Sequence, residues 1–239
     1  MAEDEIAKHS KKMYKIWFDK EHSIWHKISE FLIEILIIFF AVTISIWFHN
    51  RSEHAHRQEE VKIFLQGLKA DLTHDIHEMN EDRHSYINQS RIFTYISNLH
   101  LKELPNKDTI TKYQNWLGNT TELAPNDGRF QGFKSSGKIG YIENDSLQND
   151  IMDLYEEDIP NLLASTKMYI NDKMKLFDLV FKYRKRLTDS TTNYLEFWTL
   201  DEVNNISTSL ASPGQTIDRY GICIDLMEKI ISEIEKEYN

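Results

Sequence analysis

The sequence predicts an all-α protein: one N-terminal transmembrane helix continuing into a long helix of an extracytoplasmic antiparallel helical bundle. Three observations carry that expectation. The 239 residues include only eight glycines and four prolines, few against ordinary usage, while good helix formers are plentiful. One stretch, Ile28 to Phe48, is almost continuously apolar. Elsewhere apolar residues recur at spacings of three and four, and no segment alternates with the period of a strand. The net charge of −10 argues against a nucleic-acid partner, which would need a basic face.

The apolar stretch "ISEFLIEILIIFFAVTISIWF" comes first. Its residues at about 1.5 Å rise cover about 31 Å, the thickness of a hydrocarbon core. From Ile35 to Phe48 only Thr43 and Ser45 interrupt it, and both hydroxyls can bond back to the helix backbone. Trp25 and Trp47 flank it, where interfacial indoles belong. The run is long for a cleaved secretory signal, and Trp-Phe-His-Asn follows where small residues precede a cut. A buried core helix is the alternative. On this reading residues 1–27 are a cytoplasmic or interfacial amphipathic segment, 28–48 the transmembrane helix, and 49–239 an extracytoplasmic helical domain. Lys11, Lys12, Lys15, Lys20 and Lys27 outnumber Arg51, Arg57 and Lys62 beyond the span. That balance is expected to place the N-terminus on the cytoplasmic side and the C-terminal domain outside the inner membrane.

After the span, Val61, Leu65, Leu68, Leu72, Ile76 and Met79 form the seam of a coiled or bundled helix that demands a partner. A short helix is expected over "KDTITKYQNWLGN", ended by Gly118-Asn119, and "TELAPNDGRFQG" reads as a loop. A long helical pattern runs from Ser146 to Leu187, with Pro160 kinking or interrupting it. After the break "TSLASPGQTID", a final amphipathic helix turns Ile217, Tyr220, Ile224, Met227, Ile231 and Ile234 inward. The lone Cys223 sits there as a small apolar filler, with an intermolecular disulfide as the alternative.

"GFKSSGKIG", residues 132–140, has the glycine and lysine spacing of a phosphate loop. Ile139 stands where a hydroxyl must hold magnesium, and the preceding "APNDGRFQ" is too polar for the buried strand that aims such a loop. No nucleotide and no other cofactor is expected.

Two stretches carry a resemblance. "EILIIFFAVTISIWFHNRSEHAHRQEEVKIFLQGLKADLTHDI" resembles the start of a family of small bacterial single-span proteins known only as a domain of unknown function. "FKSSGKIGYIENDSLQNDIMDLYEE" resembles that family's second signature: a Phe, a Ser-Gly pair, an apolar pair, an Asn-containing turn and a Leu-led helix ending in Tyr. Where the family has Asn-Trp-Asn after the span, this chain reads His49-Asn50-Arg51-Ser52. The resemblance implies a bacterial membrane protein with a helical outer domain and brings no activity. Physically the second signature reads as a helix hairpin. Phe130 and Phe133 supply contacts, Gly137 and Gly140 permit a turn or a close approach, and Asp145 or Ser146 caps the next helix. The hairpin serves packing, or holds a small ligand near Arg129, Phe133, Lys134, Ser136 and Gly137.

His74 and His77, three apart on one helix, are candidate metal ligands, against a solvated helix face or proton sensing. Glu34, two turns inside the span, is a near-interface acid, an inter-helix contact or a pore-lining group. Contacts to lipid or to a second subunit are expected from Glu34, Trp25, Trp47, Leu65, Leu68 and Leu72. "KYRKR", Lys182 to Arg186, is an exposed helix end or a docking site for anionic groups. No nucleophile and base stand in a recognisable local signature. The expectation is a non-enzymatic, single-pass protein in a homo-oligomer or hetero-complex, acting as a scaffold, accessory subunit or sensing module. A channel or transporter subunit is the alternative.

Overall fold

The computed structural model describes residues 24–238 together with Lys11 and Tyr14. The segment expected over residues 1–27 therefore lies mostly outside the described residues. The chain divides into two compact units, Met1–Glu59 and Glu60–Asn239. All regular structure among the described residues is helical, apart from one isolated antiparallel bridge between Arg186 and Thr192.

Helix α1, Ile24–Ser97, is 74 residues long. In the first unit every side chain from Ile28 to Phe48 is exposed except Glu30, half-buried, and Glu34, which is 7% exposed. A helix window of mean hydropathy 2.5 is only 6% buried, so this stretch is not a core helix of the chain. By length and composition it can cross a membrane. Thr43 Oγ1 donates to the Phe39 carbonyl at 2.8 Å, the backward bond its sequence position predicts. Trp47 is exposed, with the Arg51 guanidinium 5.6 Å from its ring centre.

In the second unit α1 becomes the centre of a core. Val61, Leu65, Leu68, Leu72, Met79, Tyr86, Phe93 and Ile96 are all buried. Leu65, Leu68 and Leu72 have no exposed surface at all, so the partner their seam demands is the chain itself. They are core residues rather than contacts for lipid or a second subunit. Each such leucine contributes roughly 1.5–3 kcal/mol by leaving water. The seam departs from the expected one at a single place: Asp75 is buried and Ile76 only partly so.

The remaining helices are α2 (Lys107–Lys112), α3 (Gln114–Gly118), α4 (Gly128–Ser135), α5 (Asp145–Asp153), α6 (Ile159–Tyr183), α7 (Tyr194–Phe197), α8 (Asp201–Leu210) and α9 (Gly214–Tyr238). The expected short helix is thus two helices, broken at Tyr113. Asn106 caps α2 by accepting from Thr109 N–H at 3.0 Å. The loop read over residues 121–132 stops earlier, because α4 begins at Gly128. Gly137 takes φ 73 and turns the chain into a 3₁₀ turn, Lys138–Tyr141, whereas Gly140 meets no close neighbour and packs nothing. Asn144, not Asp145 or Ser146, caps α5 through Leu147 N–H.

The long α-helical pattern is interrupted just before Pro160, as expected. The turn before it, Leu154–Asp158, is a π-helix, and Pro160 falls at the start of α6. A wider turn leaves room for the proline ring that an α-turn would drive into the backbone. α6 ends at Tyr183, four residues short of the expected Leu187. α9 packs on α5 and α6, and α8 packs on α6. On α9, Tyr220, Cys223, Ile224, Met227, Ile230 and Ile234 face the core, while Ile217 and Ile231 sit at its margin.

Leu68→Ala should lower the unfolding free energy by about 2–5 kcal/mol. Denaturant unfolding of the full chain in detergent measures this, and light scattering should show an unchanged oligomeric state.

Candidate functional site

The buried face of α1 repeats every seven residues. Val61, Leu65, Leu68, Leu72, Asp75, Met79, Asp82, Tyr86, Gln89, Phe93 and Ile96 follow one another at alternating steps of four and three, and all are buried. Three of them, Asp75, Asp82 and Gln89, are polar, each seven residues from the next. A buried polar group without a partner costs several kcal/mol, so each of these rungs must find one.

Asp75 and Asp82 find theirs in the loop between α3 and α4. Asn126 N–H donates to Asp75 Oδ2 at 3.0 Å, and the Asn126 side-chain amide donates to Oδ1. The Thr121 hydroxyl donates to Asp82 Oδ1, and Tyr220 Oη on α9 donates to Oδ2 at 2.9 Å. Two flanking acids extend the row: Glu78 accepts from Ala124 N–H at 3.1 Å, and Asp71 from Arg129 Nε at 2.8 Å. Tyr86 Oη closes it by donating to the Thr121 carbonyl at 2.7 Å. The fifteen steps along the helix from Asp71 to Tyr86 rise about 22 Å. Eight residues of chain reach about 28 Å at full stretch, so the loop lies extended and antiparallel along the helix. Burial raises the pKa of both Asp75 and Asp82, and their hydrogen bonds to Asn126, Thr121 and Tyr220 oppose that rise.

The third rung is a lysine site. Lys173 on α6 has no exposed surface. Its Nζ donates to Gln89 Oε1 at 2.7 Å and to the Trp116 carbonyl at 2.8 Å, and lies 5.2 Å from the Phe93 ring centre. Among the described residues no carboxylate pairs with it. Two acceptors match the two N–H bonds of a neutral amine, and burial pushes the pKa from 10.5 down to about 7. The folded state therefore binds fewer protons than the unfolded chain between about pH 7 and 10.5, and stability from this group rises with pH through that window.

The 132–140 hairpin is tied down in the same manner. Phe133 stacks on Phe64 with ring centres 3.9 Å apart. Lys134 pairs with Glu156 at 2.7 Å and Lys138 with Glu60 at 2.8 Å. Ser136 Oγ donates to the Phe133 carbonyl at 2.8 Å. A helix, not a strand, precedes these residues. The open groove of about 380 Å³ beside Arg129, Phe133 and Ser136 has carboxylates already on its cations, which favours packing over a ligand. The close approach lies at Gly67, which the sequence did not single out: a Cβ there would fall 2.3 Å from Arg129 Cζ.

His74 and His77 are 73% and 76% exposed. His74 Nδ1 lies 3.1 Å from the Asn126 amide, and His77 Nδ1 lies 3.8 Å from Glu81. Among the described residues no three His, Cys, Asp or Glu side chains gather as a metal site. Burial pushes the Cys223 thiol up to about 12, which makes it an inert core group.

Asp75→Ala should cost about 2–4 kcal/mol because it strands buried donors, while Asp71→Ala at the partly exposed end should cost under about 1 kcal/mol. Thermal unfolding of the two variants compares them directly. Lys173→Met should abolish the lysine's pH term, so that the melting-temperature difference, wild type minus variant, climbs from pH 7 to pH 10.

No curated protein and no solved structure matches the chain. The model of a family of unknown function (DUF6090) matches residues 33–190, about two thirds of the sequence, covering the apolar stretch, the heptad face of α1, the hairpin and α6. The chain belongs to that family of unknown function.

Proposed function

We propose that this is a non-enzymatic, single-pass protein of the bacterial inner membrane, with its N-terminus cytoplasmic and its helical domain periplasmic. That domain acts as a scaffold, accessory subunit or sensing module. The observation that carries the reading is the change of face along α1. Residues 28–48 turn apolar side chains outward, while from Val61 onward the same helix turns them inward. Outward apolar side chains over a bilayer's thickness suit lipid; inward ones suit a water-soluble unit. In that unit's interior, Asp75, Asp82, Gln89 and Lys173 are spent on one another and on the chain. Such groups serve architecture rather than turnover.

Because the leucine seam is covered within the chain, association has to use other surface, with the span foremost. Glu34 is already covered to 7% exposure within its own chain, which speaks against a carboxylate lining a shared pore.

The full-length product should remain in the membrane pellet after a carbonate wash. After membrane cross-linking it should purify with a second copy or a membrane partner. Release by carbonate would overturn the membrane placement. A strictly monomeric, unaccompanied protein in mild detergent would overturn the oligomeric or accessory role.

A further inference from the structure

The end of the helical unit carries a second, larger groove. It holds about 530 Å³ between α2, Gln114, the end of α6 and the segment running into α7, a size that suits a small organic solute. Its walls are fixed from within. Asn106 N–H donates to Tyr95 Oη at 2.8 Å and so fastens α2 to α1. Asn193 binds the other wall twice: its Oδ1 accepts from Lys185 N–H at 2.6 Å, and its Nδ2 donates to the Tyr183 carbonyl at 3.0 Å. Leu187 N–H donates to the Thr191 carbonyl at 2.9 Å, which folds residues 185–193 back on themselves and brings Thr192 beside the end of α6.

The cations lining this groove differ from those of the hairpin and of the π-turn side of the unit. Arg129, Lys134, Lys138 and Lys229 all hold carboxylates. Here Lys107, Gln114, Arg184, Thr192 and Glu196 make no side-chain hydrogen bond or ion pair among the described residues. They stand over apolar groups, with Ile110 and Phe197 buried beneath them and Tyr194 half-buried. Two uncommitted cations call for an anion. Glu196 restricts which one: it repels multiply charged anions and needs hydroxyl donors. Tyr194, half-buried, offers a face for ring C–H groups.

We propose that this groove binds a small polyhydroxylated monocarboxylate, a sugar acid in chemical class. Arg184 and Lys107 take its carboxylate, and Glu196, Gln114 and Thr192 take its hydroxyls. The site draws only on residues 107–197 and does not depend on whether residues 28–48 lie in lipid.

Galacturonate, galactose and inorganic phosphate are titrated calorimetrically into the full chain in detergent. Galacturonate should bind, with galactose and phosphate each about tenfold weaker or worse. Loss of one charged hydrogen bond is worth about tenfold or more, so Arg184→Gln should weaken galacturonate by at least about tenfold and Lys107→Gln further. Lys69→Gln, whose partner is Glu235 elsewhere on the unit, should leave binding unchanged. Glu196→Gln should weaken galacturonate and strengthen phosphate. Lys107, Arg184 and Glu196 are exposed and Lys69 is half-buried, and circular dichroism checks that each variant folds. No heat with galacturonate, equal binding by the Arg184/Lys107 double variant, or phosphate binding as tightly as galacturonate would each overturn the proposal.

Discussion

Everything in the second unit is organised around one demand: a single helix face, repeating every seven residues, has to be dry along its whole length while carrying polar groups at three of its steps. Apolar steps accept any neighbour of suitable shape. Polar steps do not. Asp75 accepts only donors at its height, and Asn126 is there; Asp82 requires Thr121 and Tyr220; Gln89 requires Lys173. These rungs therefore fix how far along α1 the loop, α9 and α6 each sit. The leucines supply most of the driving force, and the polar rungs select one alignment among the many that leucines alone would tolerate.

Much of this architecture was legible in the sequence, because the apolar periodicity that marks α1, α5 and α9 is the same quantity that burial obeys. The misreadings have particular causes. Composition favours Ile76 over Asp75 for the seam, whereas the unbroken alternation of four and three from Val61 to Ile96 favours the aspartate. Lys173 was passed over for the same reason, although it lies four residues after Tyr169 and three before Leu176, both buried. Gly67 could not be read at all. It is defined by the Arg129 side chain, 62 residues away in sequence, and no local pattern encodes that meeting.

The hairpin signature shows how a motif can be right in shape and wrong in emphasis. Its glycines allow a turn or a close approach: Gly137 makes the turn with its left-handed backbone, and Gly140 serves neither purpose. Its cations suggested a ligand, but each one neutralises an acid on α1 or in the π turn. The groove near α7 has the opposite character. Its residues come from three separated stretches with no motif among them, so only the folded chain brings them together.

The π turn at Leu154–Asp158 carries a further implication for how the chain can evolve. It holds one residue more than an α-turn would, and that residue sets the rotational phase of all of α6. Deleting any one amino acid between 154 and 158 would restore ordinary α-helical winding at the cost of swinging α6 through about 100° about its axis. Leu162, Tyr169 and Leu176 would then point into solvent, and Lys173 would lose Gln89. The segment should consequently tolerate exchanges of side chain far better than changes of length.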